Sequence, residues 1–236
     1  MYATLSSYSI FPPREHFHDS DIVNLIIYNP HVEYERQMKD IQESYLTRHL
    51  RVKPFFIALR PQEEKVTIEG NVMYIQGEES AVPGILYKTM EAIQYCRDHY
   101  PFQYLVRSNI STLLDFSKMN EDAIVSDYSG CRGLQVQGLD PPYGITDSSL
   151  FGTRYLQGTH IVLTKKGVDH LLANKEKLRY DLIDDVALGL IMGPPKRFGN
   201  IVHNQELKGA TCYRNKSYNR SEDVERMKRL VEMFLT

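Results

Sequence analysis

Residues 156–192, LQGTHIVLTKKGVDHLLANKEKLRYDLIDDVALGLIM, decide how the chain is read. Gly158 and Thr159 open a β-branched apolar run, Ile161-Val162-Leu163, and Thr164 is placed to cap a short helix with Val168, Leu171 and Leu172 on one side. After a charged link, Ile183-Asp184-Asp185-Val186-Ala187-Leu188-Gly189 sets two carboxylates before a small apolar helix that Gly193-Pro194-Pro195 stops. Carboxylates at a helix N-terminus are stabilised by unpaired N–H groups and the helix dipole. The structural reading therefore has Asp184 capping and Asp185 decorating the first turn. The functional reading is a catalytic acid at a strand–helix crevice.

Upstream the same alternation recurs. Residues 21–29, DIVNLIIYN, read as a strand ending in Tyr28-Asn29 before Pro30. Tyr34, Met38, Ile41 and Tyr45 follow at helical spacing, and Pro54-Phe55-Phe56-Ile57-Ala58-Leu59 makes a second strand ending at Arg60. Strand, helix, strand implies a parallel pair, and ligands of open α/β sheets bind at the carboxyl ends of such strands. A third strand falls on residues 71–76. Ser80 is placed to cap a helix with Ile85, Met90, Ile93 and Cys96 on its buried side and Lys88 along it, and residues 102–107, FQYLVR, form a fourth strand. Residues 1–20 read as an irregular lead-in. Residues 126–154, rich in Gly, Pro, Ser and Asp, read as a functional loop. Beyond Pro195 the chain is basic, with His203, Lys208, Arg214, Lys216 and Arg220, until Ser221 caps a terminal helix over 221–236.

The 236 residues are 42% hydrophobic and 25% charged with a formal net charge of −2, which suits one α/β domain and gives no global field for nucleic acid or an anionic membrane. Three scattered cysteines form neither a disulfide framework nor a zinc motif. No run of about 18 apolar residues is present to span a bilayer. The expectation is a cytoplasmic protein, or a soluble part whose membrane anchor lies elsewhere, with its oligomeric state left open.

In this order the segments resemble a GT-A-fold glycosyltransferase, especially the β-1,3-glycosyltransferase-like group and its viral and bacterial relatives. The resemblance is carried by Glu78-Glu79-Ser80, Ile85-Leu86-Tyr87-Lys88-Thr89, Tyr104-Leu105-Val106-Arg107, Gly158-Thr159-His160-Ile161-Val162-Leu163-Thr164 and Asp184-Asp185-Val186-Ala187-Leu188-Gly189, spanning residues 22–220. It implies a single Rossmann-like domain over 1–236, with a mixed, mostly parallel central sheet flanked by helices. It further implies transfer of a sugar from a nucleotide diphosphate, UDP foremost, to a hydroxyl of a glycan or another acceptor. Asp185 would be the general base of an inverting reaction, with Asp184 capping or orienting, and a retaining outcome stays open. Donor contacts fall on Tyr28, Asn29, Arg60, Lys88, Arg107, Asn109, Ser111, Arg214 and Lys216.

One departure bears on cofactors. Where the family carries D-x-D, this chain has Asn109-Ile110-Ser111. Mn2+ or Mg2+ would then rest on the neutral oxygens of Asn109 and Ser111 together with His203, or Asp115 would contribute, or Lys88, Arg107 and the basic C-terminal segment would neutralise the diphosphate instead. The competing reading is a non-catalytic module that has lost the metal motif and binds a glycan or partner. A hydrolase fits less well, because adjacent helical residues point about 100° apart and cannot both flank one glycosidic bond. Other doubly wound nucleotide enzymes lack support, since no glycine-rich loop follows the first strand.

Overall fold

The computed structural model describes residues 22–119 and 124–235. The expected lead-in over 1–20 lies outside them. The elements run β1 (Ile22–Ile27), α1 (Glu33–Leu46), β2 (Val52–Arg60), β3 (Val66–Glu69), β4 (Val72–Gln76), α2 (Gly84–His99), β5 (Tyr104–Asn109) and β6 (Thr112–Leu114). There follow β7 (Tyr128–Gly130), β8 (Gly133–Gln135), β9 (Arg154–Leu156), β10 (His160–Thr164), α3 (Lys165–Ala173) and α4 (Asp184–Met192). The chain closes with β11 (Lys196–Arg197), β12 (Ile201–His203), β13 (Cys212–Arg214) and α5 (Arg220–Phe234).

The central sheet has eight strands in the order β11-β7-β10-β5-β1-β2-β4-β3. Its middle is parallel: β1 lies between β2 and β5, and β4 extends β2. β10 runs antiparallel to β5, so the start of β10 meets the carboxyl end of β5. Two smaller sheets, β12-β13-β6 and β8-β9, flank this frame.

Alternation along the strands fills two cores. Ile22, Ile26, Phe56 and Val106 join the side chains of α1 and α5 on one face, while Val23, Leu25, Phe55, Leu105 and Ile161 join those of α2, α3 and α4 on the other. Gly189 lets α4 close onto β9, for a Cβ there would stand 2.6 Å from Tyr155 Cβ and 2.8 Å from the Arg154 carbonyl. No helix among the described residues is long and apolar enough to cross a membrane.

The main strands and all five helices fall where the sequence places them, with corrections at the margins. Asn219, not Ser221, caps α5, its Oδ1 accepting from the Glu222 N–H at 3.3 Å. Pro83 holds the cap position of α2, yet Ser80 Oγ still accepts from the Gly84 N–H at 2.9 Å. Thr164 caps α3 as expected, accepting from the Gly167 N–H at 3.1 Å. The supposedly irregular stretch 126–154 contains β7, β8 and the first residue of β9.

Candidate active site

The sheet order reverses at its middle: from β1 the chain builds outward through β2, then returns to β5 on the other side. Such a switch point leaves a crevice at the strands' carboxyl ends. Here it is a cleft of about 570 Å3. Its floor is Ile27-Tyr28-Asn29 at the end of β1 and Arg107 with Asn109 from β5; α4 contributes Asp184 and Asp185, and the end of β13, the link after it and the start of α5 contribute Arg214, Lys216 and Arg220.

The two sequence-predicted acids have unequal fates. Arg107 is in register with Leu25 and Ile161, which places it on the face covered by α4. Its Nη2 lies 2.6 Å from Asp184 Oδ2, and both side chains are buried. Nη1 donates to Asn109 Oδ1 at 2.9 Å and to the Gly158 carbonyl. Arg107 is thus spent on protein partners and holds Asp184, rather than facing a ligand with a free fork. Nor does Asp184 cap its helix: Ile183 is the cap residue and makes no side-chain bond.

Asp185 is half-buried and faces the cleft. Its Oδ1 accepts from its neighbour's N–H at Val186 (2.9 Å) and Oδ2 from the Gly158 N–H at 3.3 Å. Burial, then the charge of Asp184, raise its pKa to about 7 against the opposing pull of Arg107. An acid poised near neutrality can take a proton from an incoming hydroxyl and hold it.

Lys88 resolves in favour of a structural acid. Its buried ammonium lies 2.7 and 2.8 Å from the Glu79 carboxylate oxygens and donates to the Tyr28 carbonyl at 2.9 Å. Glu79 in turn accepts from the Leu59 N–H at 2.7 Å, tying α2 to the ends of β1 and β2. Asn29 donates its N–H to Glu35 at 2.7 Å, and burial raises the Glu35 carboxyl above its ordinary range. Tyr34 and Glu35 line the same end of the cleft; sequence reading missed both, although a helix following β1 necessarily starts beside β1's carboxyl end. Asp140 and Tyr143, which also line the cleft, belong to the stretch 126–154 read as a functional loop but were not singled out in it, and Tyr155 and Gln157 beyond it were missed. Arg60 is not brought in. It pairs with Glu69 at 2.8 Å, lies 3.8 Å over the Tyr74 ring and is absent from the lining.

The basic wall is where uncommitted positive charge stands. Among the described residues the charged ends of Arg214 and Lys216 have no hydrogen-bonded or ion-paired partner. Arg220 pairs with Asp223 at 3.1 Å and rests 5.2 Å over Tyr34. Burial and the mutual proximity of these cations lower the pKa values of Arg214 and Lys216.

The donor set does not suit a hard divalent cation, which wants several charged oxygens. Asn109 and Ser111 line the cleft but offer neutral oxygens, and among the described residues no group of three or more His, Cys, Asp or Glu is arranged to hold a metal. Asp115 lies outside the lining and is engaged by Ser117 and by Lys118 at 3.2 Å. His203 also lies outside it, its Nε2 3.2 Å from Arg132 Nη1, a neighbour that favours an anion over a metal ion.

The architecture defines a class: the chain has a GT-A-like fold. A glycosyltransferase involved in the glycosylation of the major capsid of PBCV-1 superposes with a TM-score of 0.50 over 88% of this chain and 99% of that one, at 11% identity. The galactosyltransferase LgtC gives 0.47 at 10% identity, covering 91% of this chain and 96% of its own. The inositol-1-phosphate CTP transferase of T. maritima gives 0.45 at 10% identity, covering 93% and 100%. No family model and no curated protein sequence matches the chain.

Proposed function

We propose that the protein transfers a sugar from a nucleoside-diphosphate donor, most readily a UDP-sugar, to a hydroxyl of a glycan or another acceptor, with inversion. The observation carrying this reading is that Asp185, an acid without an ion-pair partner among the described residues, shares one cleft with Arg214 and Lys216, whose charged ends are likewise unpaired among those residues. The nucleoside sits at Tyr28, Asn29 and Glu35, the diphosphate against Arg214, Lys216 and Arg220, and the acceptor against the Asp140–Tyr155 wall. Asp185 takes the acceptor proton as the new glycosidic bond forms. The cations meet the charge that develops on the leaving diphosphate as the bond to the donor sugar breaks.

Asp184 and Arg107 act as positioning residues. Their ion pair fixes the first turn of α4, from which Asp185 reaches the cleft. Because no carboxylate set for a metal stands among the described residues, charge neutralisation falls to the basic side chains, and transfer is expected to survive EDTA. The test is UDP release from a panel of UDP-sugars, with and without acceptor, by the wild type and by Asp185→Asn.

The same lack of a metal-type donor set favours a second reading, a non-catalytic module that binds a glycan or partner. Thermal denaturation separates the two. A nucleotide-binding enzyme gains melting temperature with UDP, GDP or dTDP, whereas the module gains none.

A further inference from the structure

A second group of basic side chains stands beside the cleft. Arg132 Nη1 lies 3.2 Å from His203 Nε2, on β12, and the partially buried Arg214, on the adjoining β13, is close enough that its charge is disfavoured by Arg132. Arg132 itself is exposed, and among the described residues no carboxylate pairs with it. Its carbonyl accepts from the Gln157 N–H at 2.9 Å; Gln157 and Leu134, two residues along from Arg132, both line the cleft. The charged groups felt by Tyr155 on that wall are Asp185, Asp140 and Arg132. The guanidinium therefore stands beside the Tyr155–Gln157 wall, on the side of Asp185, where the transferase reading puts the acceptor.

Arg132 Nη1–H donates to the neutral His203 Nε2, and the positive charges of Arg132 and Arg214, which disfavour each other, favour an anion that enters beside them. An exposed guanidinium without a carboxylate partner recognises carboxylate and phosphate oxygens. We propose that Arg132 and His203, with Arg214 shared with the diphosphate site, form an oxyanion-binding subsite that selects an acidic acceptor, a sugar bearing a carboxylate or a phosphate. The proposal rests on the transferase reading, since it is that reading which puts an acceptor on this wall.

The test loads the wild type with saturating UDP, occupying the diphosphate cations, and then titrates glucose, glucuronate or glucose 6-phosphate by NMR. At least tenfold tighter binding of one acidic sugar than of glucose is expected; which of the two wins tells carboxylate from phosphate. Arg132→Ala should abolish that preference and Arg132→Lys should keep part of it, while UDP affinity stays within twofold. Equal binding of all three sugars overturns the subsite, as does a preference that survives in Arg132→Ala or is lost only in parallel with UDP affinity. Failure of UDP to bind the wild type removes the transferase reading and the subsite with it.

Discussion

Asp185 takes its character from its neighbours rather than from its own position on the helix. Burial and Asp184 push its pKa to about 7, above the roughly 3.9 of a free aspartate. Between those values the folded protein keeps a proton that the unfolded chain has lost. Stability therefore falls as pH rises from about 4 to about 7 and levels off above. Asp185→Asn escapes this penalty, and denaturant unfolding should find it more stable than wild type by up to roughly 4 kcal/mol at pH 8 and little changed at pH 4. Activity runs the other way: kcat/KM of the wild type should climb with pH up to about 7, as the base ionises. The acids themselves were legible in the sequence. The partners of Arg107 and Lys88 were not, because a cation at a strand end or on a helix reads the same whether it meets a phosphate or a buried carboxylate. Only the register of β5 against β1 and β10 shows that Arg107 lies beneath α4.

At the scale of elements, α4 is fixed from two sides: by the Arg107–Asp184 pair at its first turn and by the close approach of Gly189 to β9. Arg107→Met strands a buried carboxylate and should cost about 3–5 kcal/mol in denaturant unfolding, of which Arg107→Met/Asp184→Leu recovers most. Gly189→Ala drives a methyl into Tyr155 and the Arg154 carbonyl, and should destabilise by about 1–3 kcal/mol by the same assay. The long apolar runs and 3.6-residue periods of β1, β2, β5, β10 and the helices carried enough pattern to be read. Strands of two to four residues, such as β3, β8 and β11, are too short to show alternation and exist because neighbouring backbone is already in place to pair with them.

Across the whole molecule, a formal charge of −2 conceals a segregation that composition cannot report. Among the described residues the charged ends of Arg214 and Lys216 are unpaired at one wall of the cleft, while Lys88, Arg107 and Arg220 are bound to carboxylates. Nucleotide affinity should accordingly weaken as salt is raised from 0.05 to 0.5 M, on the order of tenfold, in calorimetric titrations with UDP, and Lys216→Ala should flatten that dependence. The cleft's position follows from strand order, which was readable in outline from the alternation of strands and helices. Its contents depend on chain segments far apart in sequence, Arg107, Asp185 and Arg214, meeting at one sheet end. The central claim, that Asp185 and the basic wall act together on a sugar diphosphate without a metal, is tested most directly by UDP release from UDP-sugars in EDTA. The wild type should release UDP, and Asp185→Asn should do so at least a hundredfold more slowly with UDP affinity retained. Equal rates in the two proteins, or release only when Mn2+ or Mg2+ is restored, would contradict it.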